Sequence, residues 1–340
     1  MRGPLGAIAL TMALGFLLVA SISDEPVLAY RELLFANFDS LSNFALFLNR
    51  ATPLIFTGLA IAVAFRAKLW NIGAEAQLYA GALMTVLIGT QAGLPGPLAL
   101  PLMAVAAILA GALVLLGPVL LKTRLGVDEV VTTLLLNFIV LLGVSTMLDG
   151  PMKDPLAMGW PQSVALVPEL ELARLMERSR VHSGLLIAVA LAAAIWAINR
   201  FTVFGLRMRA VGANARAAAF AGMPVARVTL LAAALSGALA GLAGVVEVAG
   251  RTGYLTLDMS PGYGYTGVVI AMLAGLHPLG VVAAAVFVAG ILVGADGMSR
   301  AVGVPNTIAD VIVAVALLAM LVATMLTRYR VRFDRAGKAA

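Results

Sequence analysis

The chain alternates long apolar runs with short polar gaps, and most of the runs are longer than the apolar stripes of soluble helices. A helix needs about twenty apolar residues to cross a bilayer. We predict ten membrane-spanning helices, at residues 5–20, 44–65, 72–89, 98–121, 130–148, 185–198, 228–246, 263–275, 281–295 and 308–326. The predicted fold class is therefore all-α, a polytopic membrane protein in which residues 1–340 form a single transmembrane domain.

Composition supports a membrane protein and narrows the chemistry. The chain is 62% hydrophobic and 12% charged, roughly half the charged fraction of a soluble domain. It has no cysteine, which excludes a disulfide scaffold, a thiolate metal site and a cysteine nucleophile. The net charge of +6 lies in short gaps rather than on a polar face with aromatic platforms. We therefore expect a lipid bilayer, and no nucleic acid, as the partner of these charges.

The distribution of arginine and lysine predicts the orientation of the chain. Most of these residues fall in gaps that ten crossings place on one side, so both termini are expected to be cytoplasmic in a bacterial inner membrane. Residues 149–183 then form an extracytoplasmic loop, residues 200–226 a cytoplasmic loop, and residues 327–340 a basic cytoplasmic tail. The first run also resembles a signal peptide, and its removal would leave nine spans.

Polar side chains inside or beside the apolar runs are expensive to bury without partners. We expect them to face other helices, as hydrogen-bonding contacts, or to line a polar path. These residues are Asn71, Glu75, Gln77, Asn137, Glu247 and Asp310. The segment 66–77 predicts either a helix interrupted near Gly73, as in carriers with a midplane site, or a plain cytoplasmic turn capped by asparagine.

A second break, at residues 260–267, opens the short eighth helix. Its glycines at 262, 264 and 267 match a dinucleotide-binding pattern, but no strand precedes them, so glycine flexibility and close helix approach explain them better. The third and eighth helices would occupy equivalent places if helices two to five and seven to ten formed inverted blocks. We therefore expect an inverted repeat, although sequence identity between the blocks does not support it.

The cytoplasmic loop contains a short helix by its capping pattern. Asn214 is expected to cap a helix over residues 215–221, and Gly222 followed by Pro224 ends it. Exposed Phe220 with flanking arginines fits a groove on a soluble partner, and a helix lying on anionic lipid is the alternative.

Catalytic and metal-binding patterns are not found in the sequence. His182 and His277 fall on opposite predicted sides, so we expect no metal site between them. Lys338 follows a glycine but lacks the Ser or Thr of a phosphate-binding loop. No cofactor and no enzymatic activity are expected, and any ATP would be hydrolysed by another chain.

Three segments together resemble one family. Residues 71–77, Asn-Ile-Gly-Ala-Glu-Ala-Gln, are similar to a family signature except at Ala76, where glycine is usual. Residues 127–139 and 205–222 are similar to its Asn-Glu-Val, Thr, Leu-Asn-Tyr-Ile pattern and to its coupling loop. The family is that of bacterial ABC importer permeases of the branched-chain amino acid, ribose and nucleoside type, and the motifs look most like the nucleoside branch. Departures at Ala215 and at residues 276–278 bear on the substrate rather than the family.

The resemblance implies a type II-like importer permease that works by alternating access. Its partners would be a cytoplasmic ABC ATPase, a homologous second permease, an extracytoplasmic substrate-binding lipoprotein and a small-molecule substrate, expected to be a neutral nucleoside. The resemblance implies that the substrate pathway is lined by Asn71, Glu75, Gln77 and Asn137. It implies that coupling to the ATPase uses Arg207, Arg209, Gly212, Asn214, Arg216, Ala218 and Gly222.

Two alternatives remain open at this point. The same architecture could import riboflavin, a simple sugar or branched-chain amino acids. A protein of another class, an ion-coupled secondary transporter, would exchange protons at Glu75, Glu247 or Asp310.

Overall fold

The computed structural model describes residues 2–176 and 179–328, and the regular structure in these residues is helical. The predicted tail at 327–340 falls outside them from residue 329 onward. The α-helices are α1 Arg2–Ala20, α2 Pro26–Phe35, α3 Leu41–Arg66, α4 Ala74–Gln91, α5 Gly96–Leu125, α6 Glu129–Asp149, α7 Gly184–Phe201, α8 Val203–Ala213, α9 Ala215–Phe220, α10 Val225–Glu247, α11 Tyr263–Leu273, α12 Pro278–Val302 and α13 Ile308–Arg328.

Each of the ten predicted spans coincides with a helix. The structure differs from the prediction at the ends of these helices and in the gaps between the predicted spans. Helix α12 continues to Val302, beyond the predicted end at residue 295, because isolated polar residues do not stop a helix. It ends where Gly303 adopts a φ of +71°. The sequence did not predict α2 or α8, because both lie in gaps between apolar runs.

Six helices in the described residues are long and apolar enough to cross a membrane. They are α3, α5, α6, α7, α10 with the turn that extends it to Thr252, and α12. Shorter apolar helices occur at Ala9–Ala20, Tyr263–Leu273 and Ile308–Ala319. The number and orientation of the crossings stay predictions.

Two compact units can be distinguished. The smaller contains the described residues 2–36 and 294–328, and in it α1 packs against α13 and α2. The hydroxyl of Tyr30 on α2 donates a hydrogen bond to the carbonyl of Met12 on α1, at 2.6 Å. The larger unit contains residues 37–293 and every residue of the site described below except Asp310.

The core of the larger unit is built around α10, which packs against α3, α4 and α5. Glycines on α10 bring backbones into direct contact: a Cβ at Gly241 would overlap the carbonyl of Ala107 on α5, and a Cβ at Gly244 would overlap the carbonyl of Leu78 on α4. Gly237, one turn before Gly241, faces Gly111 in the same way. Small residues spaced four apart are the usual basis of close helix packing in membranes. We call this α4–α5–α10 contact the glycine seam.

The loop at 149–183 is fastened to the turn that follows α10. Backbone N–H groups of the loop donate to that turn, from Ser163 to Leu255 at 3.0 Å and from Leu172 to Ala249 at 2.8 Å. The described part of this loop therefore lies along residues 249–256 although it forms only isolated bridges.

Candidate functional site

The segment from residue 203 to residue 222 forms two short helices, and we call it the hook. The side chain of Asn214 accepts a hydrogen bond from the N–H of Ala217 at 3.0 Å, so it caps α9 as predicted. Gly222 has a φ of +77°, which a residue with a side chain rarely adopts. The predicted short capped helix is confirmed, and α8 is an addition that lies before it, capped by Thr202.

The hook presents a positive, partly apolar surface. Phe220 is 97% exposed at the end of α9. Of the predicted coupling residues, five are exposed: Arg207, Arg209, Asn214, Arg216 and Gly222. Gly212 and Ala218 are buried. Residues 180–246 contain no acidic residue, so this part of the chain does not neutralise the arginines of the hook.

Backbone contact joins the hook to the helix bundle. A Cβ at Gly212 would overlap the carbonyl oxygen of Arg66, the last residue of α3, so α8 lies directly against that end. The guanidinium of Arg66 in turn donates to the carbonyl of Leu276, just after α11, at 2.6 Å. Because no flexible side chain separates α8 from α3, displacement of the hook is expected to move the ends of α3 and α11 with it.

The irregular linker between α3 and α4, residues 67–73, is held by a buried amide cluster. Asn71 and Gln77 exchange two hydrogen bonds, at 3.0 and 2.8 Å. Asn71 also donates to Ser236 on α10 at 3.1 Å and accepts from the N–H of Gly73 at 3.0 Å. Asn71, Gln77 and Ser236 are fully buried. These hydrogen bonds fix the linker against α4 and α10.

The amino ends of α4 and α11 meet beside this cluster. The carboxylate of Glu75 accepts a hydrogen bond from the N–H of Gly264 at 2.6 Å. A Cβ at Gly264 would overlap the backbone of Glu75, so the glycine-rich break serves close helix approach, as predicted.

Asn137 on α6 ties a third helix to this junction. Its side-chain oxygen accepts from the N–H of Ala76 at 2.9 Å, and its amide nitrogen donates to the carbonyl of Ile72 at 2.9 Å. The same nitrogen donates to the hydroxyl of Tyr265 on α11 at 3.0 Å. Asn137 is fully buried, whereas Tyr265 is 39% exposed.

The structure thus brings the four predicted pathway residues together around the start of α4. Each of the four is buried and hydrogen-bonded to protein groups. The exposed polar side chain at this junction belongs to Tyr265, the partner of Asn137. Sequence reasoning did not single out Tyr265 or Ser236. Tyr265 lies between the glycines of the break at residues 260–267, and a tyrosine at such a position could have indicated it from the sequence. Ser236 lies among small residues on α10, and nothing in the sequence distinguishes it from them.

The other two polar candidates differ from each other. Glu247 is buried and forms an ion pair with Arg251, one turn later in a π-helical turn over Val248–Thr252. Arg251 also donates to the carbonyl of Met259 at 2.9 Å. Asp310 lies exposed on α13 in the smaller unit. The described residues contain no cluster of three or more His, Asp or Glu side chains that could hold a metal ion.

His182 is buried at the end of the 149–183 loop. Its ring lies against Gly184 and Gly250, and a Cβ at either glycine would collide with it. Its Nδ1 accepts a hydrogen bond from the N–H of Gly184 at 3.2 Å. Burial lowers the pKa of His182 to about 4, so the imidazole is neutral at ordinary pH.

A helical bundle with six candidate membrane spans in the described residues and buried polar junctions is compatible with a membrane permease. The comparison with known families agrees. Residues 43–326 match the family described as the permease component of branched-chain amino acid transport systems, and the chain belongs to that family.

Named relatives include ABC transporter permeases. The chain is 35% identical to the glucose ABC transporter permease protein TsgB13 of Haloferax volcanii, over 99% of this chain and 92% of the relative. It is 33% identical to the guanosine ABC transporter permease protein NupP of Bacillus subtilis, over 93% of this chain and 91% of the relative. The guanosine permease protein NupQ of the same organism is 28% identical, over 70% of this chain and 76% of the relative.

The chain is therefore an ABC transporter permease and a multi-pass membrane protein. A permease of this class does not need proton-exchanging carboxylates of its own, and the alternative of an ion-coupled carrier is set aside. The prediction from the three sequence motifs is confirmed at the level of the family.

Proposed function

We propose that this chain is one of two permease subunits of an ATP-driven importer and that it carries nucleosides by alternating access. The observation that carries the proposal is the hook, which exposes Phe220 and arginines while its backbone contacts the end of α3. A separate cytoplasmic ATPase binds this surface, and its nucleotide cycle biases the permease between outward and inward forms.

The charge of the hook favours a partner with acidic groups. Its arginines are exposed, and the flanking residues 180–246 supply no carboxylate. An acidic groove on the ATPase would pair with them and receive Phe220. The hook would then lie in the cytoplasm, which agrees with cytoplasmic termini in an inner membrane, and the 149–183 loop would face a substrate-binding lipoprotein.

A homologous second permease fits the pattern of relatives. Two different guanosine permease proteins of one organism, NupP and NupQ, both resemble this chain. We therefore propose a heterodimer of this chain with a related permease.

The substrate class is supported by NupP, whose name specifies guanosine, and by the neutral amide and hydroxyl groups that Asn137 and Tyr265 bring together. A neutral nucleoside needs hydrogen bonds and an aromatic surface rather than counter-charges. A simple sugar is the second candidate, because TsgB13 is named for glucose.

The coupling proposal is tested with the complete transporter reconstituted in liposomes. Phe220→Ala should reduce ATP-driven uptake at least tenfold and weaken co-purification of the ATPase, while the melting temperature of the permease stays unchanged because Phe220 has little buried surface. Phe35→Ala, which truncates an exposed phenylalanine on α2, is the matched control and should not reduce uptake. Full uptake by the Phe220 variant, or uptake by the permease without an ATPase, would overturn the proposal.

The substrate proposal is tested by competition. Uptake of labelled guanosine should be inhibited by excess unlabelled nucleosides and not by glucose. Uptake of labelled glucose, with no uptake of guanosine, would select the sugar alternative.

A further inference from the structure

Tyr265 lies deep in the membrane, as judged from the two ends of α11. The carbonyl of Leu276, beyond the carboxyl end of α11, is bonded to Arg66, the charged residue that ends the apolar run of α3 and so marks the membrane surface. Helix α11 has 11 residues, which is about 16 Å of rise against a hydrocarbon thickness of about 30 Å. Its amino end, which carries Tyr265, is therefore near the middle of the bilayer.

A second measure of depth agrees with the first. Helix α6 begins at Glu129, whose carboxylate pairs with Lys122 and accepts the N–H of Trp70, so this charged group marks the same surface. Asn137 lies eight residues further along α6, a rise of roughly 12 Å. Because Asn137 donates to the hydroxyl of Tyr265, the two helices place that hydroxyl at a similar depth.

A tyrosine exposed at this depth needs a polar neighbour. The hydroxyl oxygen of Tyr265 accepts a hydrogen bond from Asn137, its partner among the described residues. The O–H of Tyr265 therefore remains available to donate a hydrogen bond. An unpaired donor facing lipid tails is costly, whereas one facing a water-filled path or a substrate is not. The path, rather than lipid, is therefore the environment favoured for this face of α11.

The surroundings of Tyr265 define the kind of ligand. One and two turns along α11, Val268, Val269 and Met272 are half-buried apolar residues on the same face. An aromatic ring, apolar neighbours and one oriented hydroxyl donor suit a flat heterocycle that can stack and accept a hydrogen bond. Purine bases have both properties, while a sugar has no flat π surface and presents mainly hydroxyl groups.

We propose that Tyr265 contacts the nucleobase during translocation, stacking on the base and donating a hydrogen bond to it, and that Asn137 is the positioning residue that holds the tyrosine hydroxyl. This inference rests on the proposed nucleoside transport and adds a residue that determines specificity.

The first test measures guanosine uptake by the complete reconstituted transporter. Tyr265→Phe keeps the ring and removes the donor, and it should raise the KM for guanosine by roughly three- to tenfold. Tyr265→Leu removes the ring as well and should raise it further. Tyr254→Phe, at a tyrosine of similar exposure in the loop before α11, is the matched control and should leave the KM unchanged. Unaltered ATPase stimulation and melting temperature would show that the variants fold.

The second test does not depend on activity. Because the chain has no cysteine, Tyr265→Cys introduces the single thiol of this subunit. A water-soluble thiol reagent should label it in at least one nucleotide state, and guanosine should slow that labelling. Phe138→Cys, at an exposed apolar position on α6, should be labelled much more slowly.

The outcomes separate the two proposals. If the wild-type transporter takes up no nucleoside, the proposed function fails. If the wild type takes up guanosine, but Tyr265→Phe has the wild-type KM or Tyr265→Cys is unreactive in every nucleotide state, the nucleobase contact fails alone.

Discussion

The glycine seam and the hook use small residues in opposite ways. In the seam, Gly237, Gly241 and Gly244 bring helix backbones together over a length of α10 that is almost entirely buried. In the hook, short helices are held by caps: α8 buries one face, including Gly212 against the end of α3, whereas α9 buries only Ala218. The seam has no room for added atoms, whereas the tip of the hook, α9, has few contacts with the bundle to lose.

This difference assigns stability and coupling to separate parts of the chain. Changes in the seam are expected to unfold the bundle and so abolish transport indirectly. Changes at the tip of the hook are expected to leave the bundle folded and to affect only its response to a partner. Gly212 connects the hook to the bundle, because its backbone contact with Arg66 is where a displacement of the hook enters the bundle.

The largest effect is expected in the seam. Gly241→Leu places a side chain against the carbonyl of Ala107, where only backbone could yield. We expect a loss of at least ~3 kcal/mol in stability, measured as a much lower melting temperature in detergent or failure to accumulate. Gly117→Leu is the matched control, since α5 has open space at that position. Equal melting temperatures for the two variants would contradict the seam as the source of stability.

A smaller effect is expected just after the carboxyl end of α10, where His182 packs against Gly250. Because the pKa of His182 is lowered to about 4 in the folded protein, the unfolded chain binds a proton below pH 6.5 that the folded chain does not. The stability contributed by the neutral ring is thus complete above pH 6.5 and is lost as the pH falls toward 4, by at most about 3 kcal/mol.

Thermal unfolding between pH 7.5 and pH 4 measures this loss. His182→Gln keeps an acceptor but cannot be protonated, so it should flatten the pH dependence over that range. His277→Gln, at the exposed histidine, should retain the wild-type curve. A wild-type curve in the His182 variant would show that other groups cause the acid sensitivity.

Substitutions in the amide cluster of Asn71, Gln77 and Ser236 should reduce the stability less than those described above. Asn71→Ala removes both hydrogen bonds of the buried Gln77 side chain and the donor to Ser236, whose hydroxyl still donates to the carbonyl of Ala60. Leaving the buried Gln77 amide unpaired costs about 1–3 kcal/mol. Because Asn71 and Gln77 bond each other, the double variant with Gln77→Ala should lose less stability than the sum of the two single variants. Reduced uptake with an unchanged melting temperature would instead favour direct contact of Asn71 with substrate, as predicted from the sequence.

The smallest effect on stability is expected in the hook. Asn214→Ala removes the cap of α9, which costs about 1 kcal/mol. Because α9 makes few contacts with the bundle, the melting temperature should not change, while trypsin should cleave faster after Arg216. Asn214→Ser retains a capping oxygen and should behave like the wild type. Unchanged cleavage in the alanine variant would show that α9 is held by something other than its cap.

Much of the fold followed from local sequence. The helices that coincide with the predicted spans, the cap at Asn214 and the stop at Gly222 depend on apolar run length and on residues a few positions apart. The glycines before α11 were correctly assigned to close helix approach, because no strand precedes them. The missed helices α2 and α8 are short and lie in polar gaps, where apolar periodicity gives no signal.

The candidate site was predicted only in part. The polar residues near Gly73 were correctly chosen as unusual, because burying an amide or a carboxylate in an apolar run requires a reason. Their partners were not predictable from the sequence, since Asn71 and Ser236 are 165 positions apart and Asn137 reaches Tyr265 from another helix.

The sequence by itself determined the class of protein, the positions of its main helices and the family, because these depend on composition, run length and short motifs. Only the tertiary structure decided which face of each helix packs, which polar groups pair and that Tyr265 is left exposed. The physical reason is that protein interior and lipid are both apolar, so a hydrophobic pattern that reveals the buried face of a soluble helix carries little such information in a membrane.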